Sequence, residues 1–319
     1  MTTDPGVSGH GDHACCAPPG PRPVTLGTGG NAASAAFSRD EAAAERWRSQ
    51  MIALPGGSFD MGGEDPDANP GDAEGPIRAV TVAGFLIAPA AVTNTEFESF
   101  VDHTGYRTQA EQFGWSYVFH LLVGPEAAGR ARGRAAGAPW WIAVDGADWA
   151  HPEGPGSSLR DRGDHPVVHV SHDDALAYCS WAGVRLPTEQ EWEYAARGGL
   201  HRARYPWGDD LTPGGRHMCN IWQGVFPRSN SAEDGYVGTA PVRSFPPNGY
   251  GLHNMAGNVW EWTASPWAAT SRDLWTTRGG SYLCHASYCN RYRVAARTAN
   301  TADSSSGNTG FRVVADPRS

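Results

Sequence analysis

Glycine and proline interrupt this sequence so often that long helices and strands have little room to form. The chain carries 40 glycines and 24 prolines among 319 residues, about a fifth of its length against a usual ~12%. That share is still below the composition of a disordered chain. Thirteen tryptophans supply large apolar side chains that can fill a core between short elements. We therefore expect a compact, loop-rich fold in which little of the backbone is regular.

Charge and hydropathy exclude several classes of function. The formal net charge is −9 and the isoelectric point is about 5.7, which argues against a nucleic-acid-binding protein. No apolar run approaches the ~18 residues of a membrane span. The first residues contain no apolar segment typical of a secretory signal. The six cysteines are then expected to be reduced, and we expect a cytoplasmic protein with neither nucleic acid nor membrane as a partner.

The chain divides into a tail and one globular domain. Residues 1–45 are rich in Gly, Pro and Ala without hydrophobic periodicity, which predicts a flexible tail. The tail contains His10, His13, Cys15 and Cys16, which indicate either a metal-gathering segment or a disordered leader. Residues 46–319 form the predicted single catalytic domain.

Capping residues predict three helices. Thr188 is followed three residues later by Glu191, the pattern of a capping box. The expected helices run from Thr93 or Thr95 to Gly105, from Asp173 or Asp174 to Gly183, and from Thr188 to Gly198. Residues 51–63 are predicted to form a strand and a glycine turn, and alternating apolar residues predict a strand pair within 79–93. Segment 107–165 is Trp-rich without a clear period, and we expect an irregular, functional loop there.

Two cysteines in "RGGSYLCHASYCNRYR" (residues 278–293) form the most informative motif. Cys284 and Cys289 are five positions apart, which points them to opposite faces of a strand and about 140° apart on a helix. If both sulfurs serve one purpose, the backbone between them must be irregular. A disulfide, a metal site and redox chemistry all remain open. A four-ligand zinc site has little local support, because His285 is the only further ligand close in sequence.

Several segments together resemble the formylglycine-generating enzymes of the sulfatase-modifying factor family. The resemblance covers roughly residues 47–315 and rests on the motifs "PGGSFDMG", "RLPTEQEWEYAARGG", "YPWG", "NIWQGVFP", "PPNGYGLHNMAGNVWEW", "RGGSYLCHASYCNRYRVAAR" and "NTGFRV". It implies an α+β fold of C-type-lectin-like type with low regular secondary structure. It also implies oxidation of the cysteine in a Cys-x-Pro-x-Arg segment of an unfolded sulfatase to Cα-formylglycine. The family uses O₂, a copper(I) ion held by two thiolates and an external thiol reductant.

The resemblance assigns the thiol pair to copper(I), and the chemistry agrees. Copper(I) is a soft ion that accepts two thiolate ligands, here Cys284 and Cys289. Nearby arginines are expected to lower the thiol pKa values; they are Arg278, Arg291, Arg293 and Arg297. Ser281 matches a catalytic serine next to the thiols and is expected to position O₂ or the substrate.

Gly-rich loops expose carbonyl oxygens that suit calcium. By resemblance, a first structural calcium site would use the Asn220 and Asp234 side chains with the carbonyls of Ile221 and Tyr236. A second would use Asn254 and Glu261 with the carbonyls of Gly257 and Val259.

The resemblance also implies contacts to an extended peptide. Trp140 occupies the position where a tryptophan meets the substrate proline. Ser116, Ser305 and Asn308 match positions that contact the peptide. The positions aligned with the acidic pocket for the substrate arginine are Ala91 and Trp115, so the resemblance leaves that pocket unassigned, with other carboxylates as the alternative.

The remaining cysteines are predicted to have no catalytic role. Cys179 lies on a predicted helix and is expected in the core, and no role is assigned to Cys219. Positions that form disulfides in secreted relatives hold Ala196, Val294 and Val313, which agrees with a reduced protein.

Two other functions remain in view. An iron-dependent sulfoxide synthase of the same superfamily needs a His-rich iron site, which the globular part of the sequence lacks, and it leaves the thiol pair unexplained. A lectin-like binding module explains the fold, the tryptophans and the calcium loops, but also leaves the two thiols unexplained.

Overall fold

The computed structural model describes residues 38–318 and contains six α-helices in that range. They are α1 (Glu41–Gln50), α2 (Asn94–Thr104), α3 (Gln109–Phe113), α4 (Pro125–Ala128), α5 (His172–Ala182) and α6 (Glu189–Arg197). None of the helices in this part of the chain is long and apolar enough to cross a membrane. Because α1 begins at Glu41, the last residues assigned to the tail belong to the folded domain. The tail residues His10, His13, Cys15 and Cys16 lie outside the described range.

Short strands make up the rest of the regular structure. The described residues form β1 (Ile52–Leu54), β2 (Gly57–Met61), β3 (Arg78–Val82), β4 (Phe85–Ile87), β5 (Trp115–Phe119), β6 (Ala131–Ala135), β7 (Ala138–Asp145), β8 (Gly224–Val225), β9 (Ser229–Asn230), β10 (Trp260–Pro266), β11 (Leu274–Arg278), β12 (Arg297–Thr301), β13 (Thr309–Phe311) and β14 (Val314–Ala315). Helices and strands are both short and long loops join them. This confirms the predicted α+β fold with low regular secondary structure.

The four-stranded sheet β12-β11-β10-β13 determines where the functional loops meet. Its antiparallel pairs are β10–β11 and β11–β12, whereas β13 runs parallel to β10. The register pairs Glu261 with Arg278 and Trp260 with Thr309. The end of β11 and the start of β13 therefore lie at the same end of the sheet. The loop after β11 (residues 279–296) and the loop before β13 (residues 302–308) converge there.

Aromatic residues fill the largest core cluster, as the tryptophan content predicts. Helix α2 contributes Phe97 and Phe100, and α5 contributes Tyr178 and Trp181. The rings of Phe97 and Tyr178 stack with centroids 5.9 Å apart, and Trp262 of β10 joins the same cluster. Offset and edge-to-face ring contacts of this kind stabilise a core beyond its buried area. They hold the helices against the sheet that carries the loops.

The predicted helix boundaries are largely confirmed, with one shift. Thr93 caps α2 and Thr188 caps α6, each in a full capping box. Helix α5 begins at His172, earlier than the predicted Asp173 or Asp174. The reason is that the Ser171 side chain accepts the hydrogen bond of the Asp174 N–H and is the cap.

The prediction for segment 107–165 is wrong in part. This segment contains α3, α4 and the three-stranded sheet β5-β7-β6. Strand β6 ("ARGRA") is exposed over most of its length, so it carries no hydrophobic alternation that a sequence pattern could detect. Gly137, with φ of 77°, allows the tight turn from β6 into β7.

Candidate active site

The thiol segment between β11 and β12 is irregular, as the cysteine spacing predicts. It is held by turns in which the Cys284 N–H donates to the Ser281 carbonyl (2.9 Å) and the Cys289 N–H to the His285 carbonyl (2.7 Å). Both cysteines are 1% exposed. These turns bring the two side chains to the same side of the loop.

The two sulfur atoms are in contact without a covalent bond. Sγ of Cys284 and Sγ of Cys289 are 3.1 Å apart, well beyond the ~2.05 Å of a disulfide. Within residues 38–318 no group of three or more His, Cys, Asp or Glu side chains is arranged to hold a metal ion. Two converging sulfurs are therefore the donor set at this site. That set suits a soft ion satisfied by two thiolates and does not suit four-coordinate zinc.

One arginine reaches the thiol pair. Nη1 of Arg291 lies 3.8 Å from Sγ of Cys289, and the guanidinium is held by the buried carboxylate of Asp72. The Ser281 N–H also points at Sγ of Cys284, at 3.4 Å. A cation and a backbone N–H both favour the thiolate form. One predicted arginine, Arg291, therefore contacts the thiol pair, and the lowering of the thiol pKa values stays a prediction.

The other three arginines named in the sequence analysis serve the fold. Each forms ion pairs with buried or half-buried carboxylates away from the sulfurs: Arg278 with Glu189 and Glu193, Arg293 with Glu74 and Asp65, and Arg297 with Glu189. Their charge is compensated by these carboxylates. Arg291 is also paired with a carboxylate, and it differs from these three by its contact with Sγ of Cys289.

Ser281 and Asn308 lie side by side, as the convergence of the two loops requires. The Asn308 amide Nδ2 donates to the Ser281 hydroxyl oxygen at 2.9 Å. Ser306 donates to Oδ1 of Asn308 at 2.8 Å, which fixes the orientation of the amide. The Leu283 N–H also donates to the Ser281 oxygen, at 3.3 Å. Both lone pairs of Ser281 are engaged, so its O–H proton is left to donate.

Trp140 of β7 is brought to the thiol segment by aromatic contacts. Its ring lies 4.8 Å from that of Tyr288, the residue before Cys289, and 5.4 Å from that of Phe226. Tyr288 and Phe226 stack with centroids 4.6 Å apart. Three rings thus form an apolar wall beside the thiol pair, and Trp140 is partly exposed on it. Neither Phe226 nor Tyr288 was singled out from the sequence.

Ser116 and Ser305 also meet, although 189 positions separate them. Their hydroxyl oxygens are 2.8 Å apart. His169, which the sequence analysis did not select, lies behind them with Nδ1 at 2.8 Å from the Ser116 oxygen and Nε2 at 2.7 Å from the Pro152 carbonyl. Burial lowers the pKa of His169, so the ring is neutral. The sequence alone did not point to His169. The structure gives it a positive φ of 58°, which histidine adopts more readily than most residues.

At the first predicted calcium loop, Asp234 contacts Ile221, and one side-chain oxygen of Asn220 has no hydrogen-bond partner among the described residues. The Asp234 carboxylate accepts the N–H groups of Ile221 and Tyr236, each at 3.0 Å. Burial raises the pKa of Asp234. Oδ1 of Asn220 is buried without a hydrogen-bond partner among the described residues. An orphaned carbonyl-type oxygen fits a calcium ligand, but the Gln223 amide donates to both the Asp234 carboxylate and the Ile221 carbonyl. The first calcium site therefore stays a prediction.

The second predicted calcium loop offers fewer free oxygen atoms for a calcium ion. Oδ1 of Asn254 is also buried without a partner within residues 38–318. However, both carboxylate oxygens of Glu261 accept hydrogen bonds from the fully buried Arg312, and one also accepts from Trp192. Glu261 is therefore neutralised by an internal cation. The contacts of Gly257 and Val259 do not show whether their carbonyls bind calcium, and the second calcium site stays a prediction.

The remaining sequence-predicted positions are core residues. Cys179 is 4% exposed on α5, and burial raises the pKa of its thiol. Cys219 is 2% exposed and packs in the same cluster as Cys284 and Cys289. Ala91 and Trp115, which align with the arginine pocket of the family, are buried apolar residues.

Comparison with known proteins identifies the family. Residues 37–317 match the model of the sulfatase-modifying factor enzyme 1-like domain. The chain belongs to the sulfatase-modifying factor family. A formylglycine-generating enzyme of Thermomonospora curvata is 59% identical over 287 residues, which cover 84% of this chain and 93% of that protein. Among solved structures, PvdO from Pseudomonas aeruginosa is similar with a TM-score of 0.61 and 25% identity, over 84% of this chain and 94% of that one.

Membership of the sulfatase-modifying factor family confirms the predicted fold. It does not by itself decide activity. A Bos taurus protein named inactive C-alpha-formylglycine-generating enzyme 2 is 51% identical over 265 residues, which cover 82% of this chain and 86% of that protein. The activity of the present chain must therefore be argued from its own residues, above all the thiol pair.

Proposed function

We propose that this chain oxidises the cysteine of a Cys-x-Pro-x-Arg segment in unfolded sulfatases to Cα-formylglycine, with O₂ and an external thiol reductant. The observation that carries the proposal is the buried pair of Cys284 and Cys289, whose sulfurs are in contact beside an apolar wall. The name of the Thermomonospora curvata relative supports the same activity.

Electron counting defines what the reaction needs. Conversion of a thiol carbon to an aldehyde, with loss of hydrogen sulfide, removes two electrons from the substrate. Reduction of O₂ to water takes four electrons, so two external thiols supply the other two and leave as a disulfide. Copper(I), when bound, would supply the affinity for sulfur and the redox activity toward O₂. None of the protein residues has to change its oxidation state overall.

The chain's own residues hold and surround the reacting groups. Cys284 and Cys289 would bind copper(I), and Arg291 with the Ser281 N–H would keep them as thiolates. The Ser281 hydroxyl, whose oxygen is occupied by Asn308 and Leu283, would donate its proton toward O₂ or the substrate sulfur. Burial of both cysteines excludes water from the thiolates.

The surrounding surface would bind the peptide in an extended conformation. Trp140 with its two ring neighbours would pack against the substrate proline, whose fixed φ stiffens the chain. Ser305 would contact the peptide backbone, Ser116 would support it from behind through their hydrogen bond, and Asn308 would position Ser281. A folded sulfatase would present this segment with its backbone groups already paired, so the substrate is an unfolded chain.

We also propose one structural calcium ion at the first loop. Asn220 and Asp234 side chains with the carbonyls of Ile221 and Tyr236 would bind it. The buried, unpartnered Oδ1 of Asn220 supports this assignment. We propose the cytoplasm as the compartment of this chain, in keeping with the expectation from its sequence.

Oxygen consumption separates this proposal from the two alternatives. The purified chain is loaded with copper(I), and O₂ uptake is followed with a Cys-x-Pro-x-Arg peptide and a thiol reductant. Our proposal predicts uptake that needs copper and the peptide cysteine. A binding module would consume no O₂, and a sulfoxide synthase would need iron. Either of those results would contradict the proposal.

A further inference from the structure

Three buried residues form a hydrogen-bonded chain that ends at the proposed peptide surface. His169 is 0% exposed, Ser116 is 1% exposed and Ser305 is 8% exposed. The chain runs from the Pro152 carbonyl through the His169 ring to Ser116 and then to Ser305, with distances of 2.7, 2.8 and 2.8 Å. Exposure increases toward Ser305. None of these hydrogen bonds is part of the copper or calcium sites.

The Pro152 carbonyl sets the direction of every hydrogen bond in this chain. A carbonyl oxygen only accepts, so Nε2 of His169 must carry the proton. In the neutral ring Nδ1 is then an acceptor, and the Ser116 hydroxyl must donate to it. With its own proton used, Ser116 accepts from Ser305. The Ser305 hydroxyl therefore points its proton inward and its lone pairs outward.

Close packing keeps the loop that carries Ser305 in register with His169. The His169 N–H donates to the Ser306 carbonyl at 2.9 Å, and the Gly307 N–H donates to the Tyr117 carbonyl at 3.0 Å. A Cβ on Gly307 would lie 3.2 Å from Nε2 of His169. Ser305 thus cannot easily turn away from Ser116.

We propose that His169 is a positioning residue that makes Ser305 an acceptor-only contact, so that this point of the groove selects a peptide N–H and rejects a hydrogen-bond acceptor. The inference rests on the proposed function, because it takes the extended Cys-x-Pro-x-Arg peptide as the ligand. It specifies that Ser305 accepts a hydrogen bond from the peptide, although a serine hydroxyl could otherwise donate or accept. A serine hydroxyl without such a relay rotates to suit its partner.

Peptides with single amide-to-ester replacements test this directly. Each ester removes one N–H and places an oxygen acceptor there, while the peptide length and side chains stay the same. Peptides with serine in place of the reactive cysteine are used, so that binding is read by calorimetry without turnover. The measured quantity is the ratio of Kd values, ester over amide, for each variant. This ratio is normalised within each protein, so a loss of folded fraction does not change it.

In the wild-type chain we expect one ester position to weaken binding about 10-fold, because two acceptor oxygens then face each other. The penalty should fall to about 2- to 3-fold in Ser116→Ala and His169→Leu, where the freed Ser305 hydroxyl turns to donate to the ester. It should vanish in Ser305→Ala. It should persist in His169→Asn, whose side-chain oxygen can still accept from Ser116 and which tolerates a positive φ. Ser116→Ala removes little volume and serves if His169→Leu does not fold.

Equal penalties in the wild type and Ser305→Ala would overturn the contact, and equal penalties in the wild type and Ser116→Ala would overturn the relay. Failure of the proposed function gives a different result. In that case the copper-loaded chain would not convert the parent cysteine peptide, whereas the ester ratios would still report the direction of the Ser305 contact.

Discussion

At the scale of single residues, the proposed copper(I) binding and turnover depend on two sulfur atoms. Cys284 and Cys289 are buried and 3.1 Å apart, so neither can be replaced without leaving a single donor. We expect Cys284→Ser and Cys289→Ser each to abolish tight copper(I) binding and turnover together, because one thiolate does not hold this ion. The measurement is an anaerobic copper titration against a competing chelator.

Cys179→Ser is the matched control for that titration. It changes a buried thiol on α5 that lies in a different core cluster from the pair. Its copper stoichiometry should equal that of the wild type even if its stability falls. Full copper binding in both single variants of the pair would refute the assignment.

The apolar wall gives a second prediction for a single residue. Trp140→Ala should lower kcat/KM for the peptide by roughly 5- to 150-fold, because an aromatic–proline contact contributes on the order of 1–3 kcal/mol. Copper stoichiometry should survive, since the thiols lie on another segment. Steady-state kinetics check the first part and a copper titration the second.

Trp275→Ala provides the comparison for Trp140→Ala. Trp275 lies on β11 and stacks on His172 instead of facing the thiol segment. Its loss should affect stability but leave kcat/KM nearly unchanged for the folded fraction. An unchanged kcat/KM in the Trp140 variant would show that this ring does not contact the substrate.

At the scale of elements, one arginine joins the helix α6 to the strand and loop that carry the thiols. Arg278 ends β11, pairs with Glu189 and Glu193 of α6, and donates to the carbonyls of Val294 and Ala295. We expect Arg278→Met to destabilise the protein by about 3–5 kcal/mol, since it leaves buried carboxylates short of a partner. Urea unfolding measures this.

Arg132→Met is a suitable control for Arg278→Met. Arg132 pairs with Asp145 on an exposed edge of the β6–β7 hairpin, where an ion pair contributes little. Its replacement should change the free energy of unfolding by less than about 1 kcal/mol. Similar losses in the two variants would contradict the role given to Arg278.

The first residue of α5 gives the fold a specific acid sensitivity. Burial lowers the pKa of His172 from 6.5 to about 4, and its ring stacks on Trp275 with centroids 4.1 Å apart. Between these pKa values the unfolded chain binds a proton that the folded chain does not, so stability falls as the pH drops from 6.5 toward 4. This single group should cost about 2 kcal/mol between pH 7 and pH 5.

The variant His172→Phe should remove that part of the pH dependence. It keeps an aromatic ring against Trp275 but has no proton to bind. Urea unfolding at pH 7 and pH 5 should show a difference between the two pH values that is about 2 kcal/mol smaller than in the wild type. The exposed His201 provides a control as His201→Phe. An unchanged difference in His172→Phe would contradict the account.

For the whole molecule, features encoded by neighbouring residues in the sequence could be predicted, whereas contacts between distant segments largely could not. The helices starting at Thr93 and Thr188 were predictable because a capping box is written within four consecutive residues. Strand β6 was not, because its exposed residues carry no period. His169 was not, because its role depends on Pro152, Ser116 and Ser305, which only the fold brings together. The spacing of Cys284 and Cys289 predicted an irregular backbone only if both sulfurs act together, and their joint role came from the family resemblance. The resemblance also gave Trp140, whereas Phe226 and Tyr288 were not predicted.

Mass spectrometry of a peptide after incubation with the chain is the decisive measurement of the conversion to formylglycine. Copper-loaded chain is incubated in air with a thiol reductant and a short Cys-x-Pro-x-Arg peptide, beside the same peptide with alanine for cysteine and a natively folded sulfatase. We expect formylglycine in the cysteine peptide alone, and none when Cys284→Ser replaces the wild type. An unmodified cysteine peptide after incubation with fully copper-loaded wild-type chain would contradict this expectation.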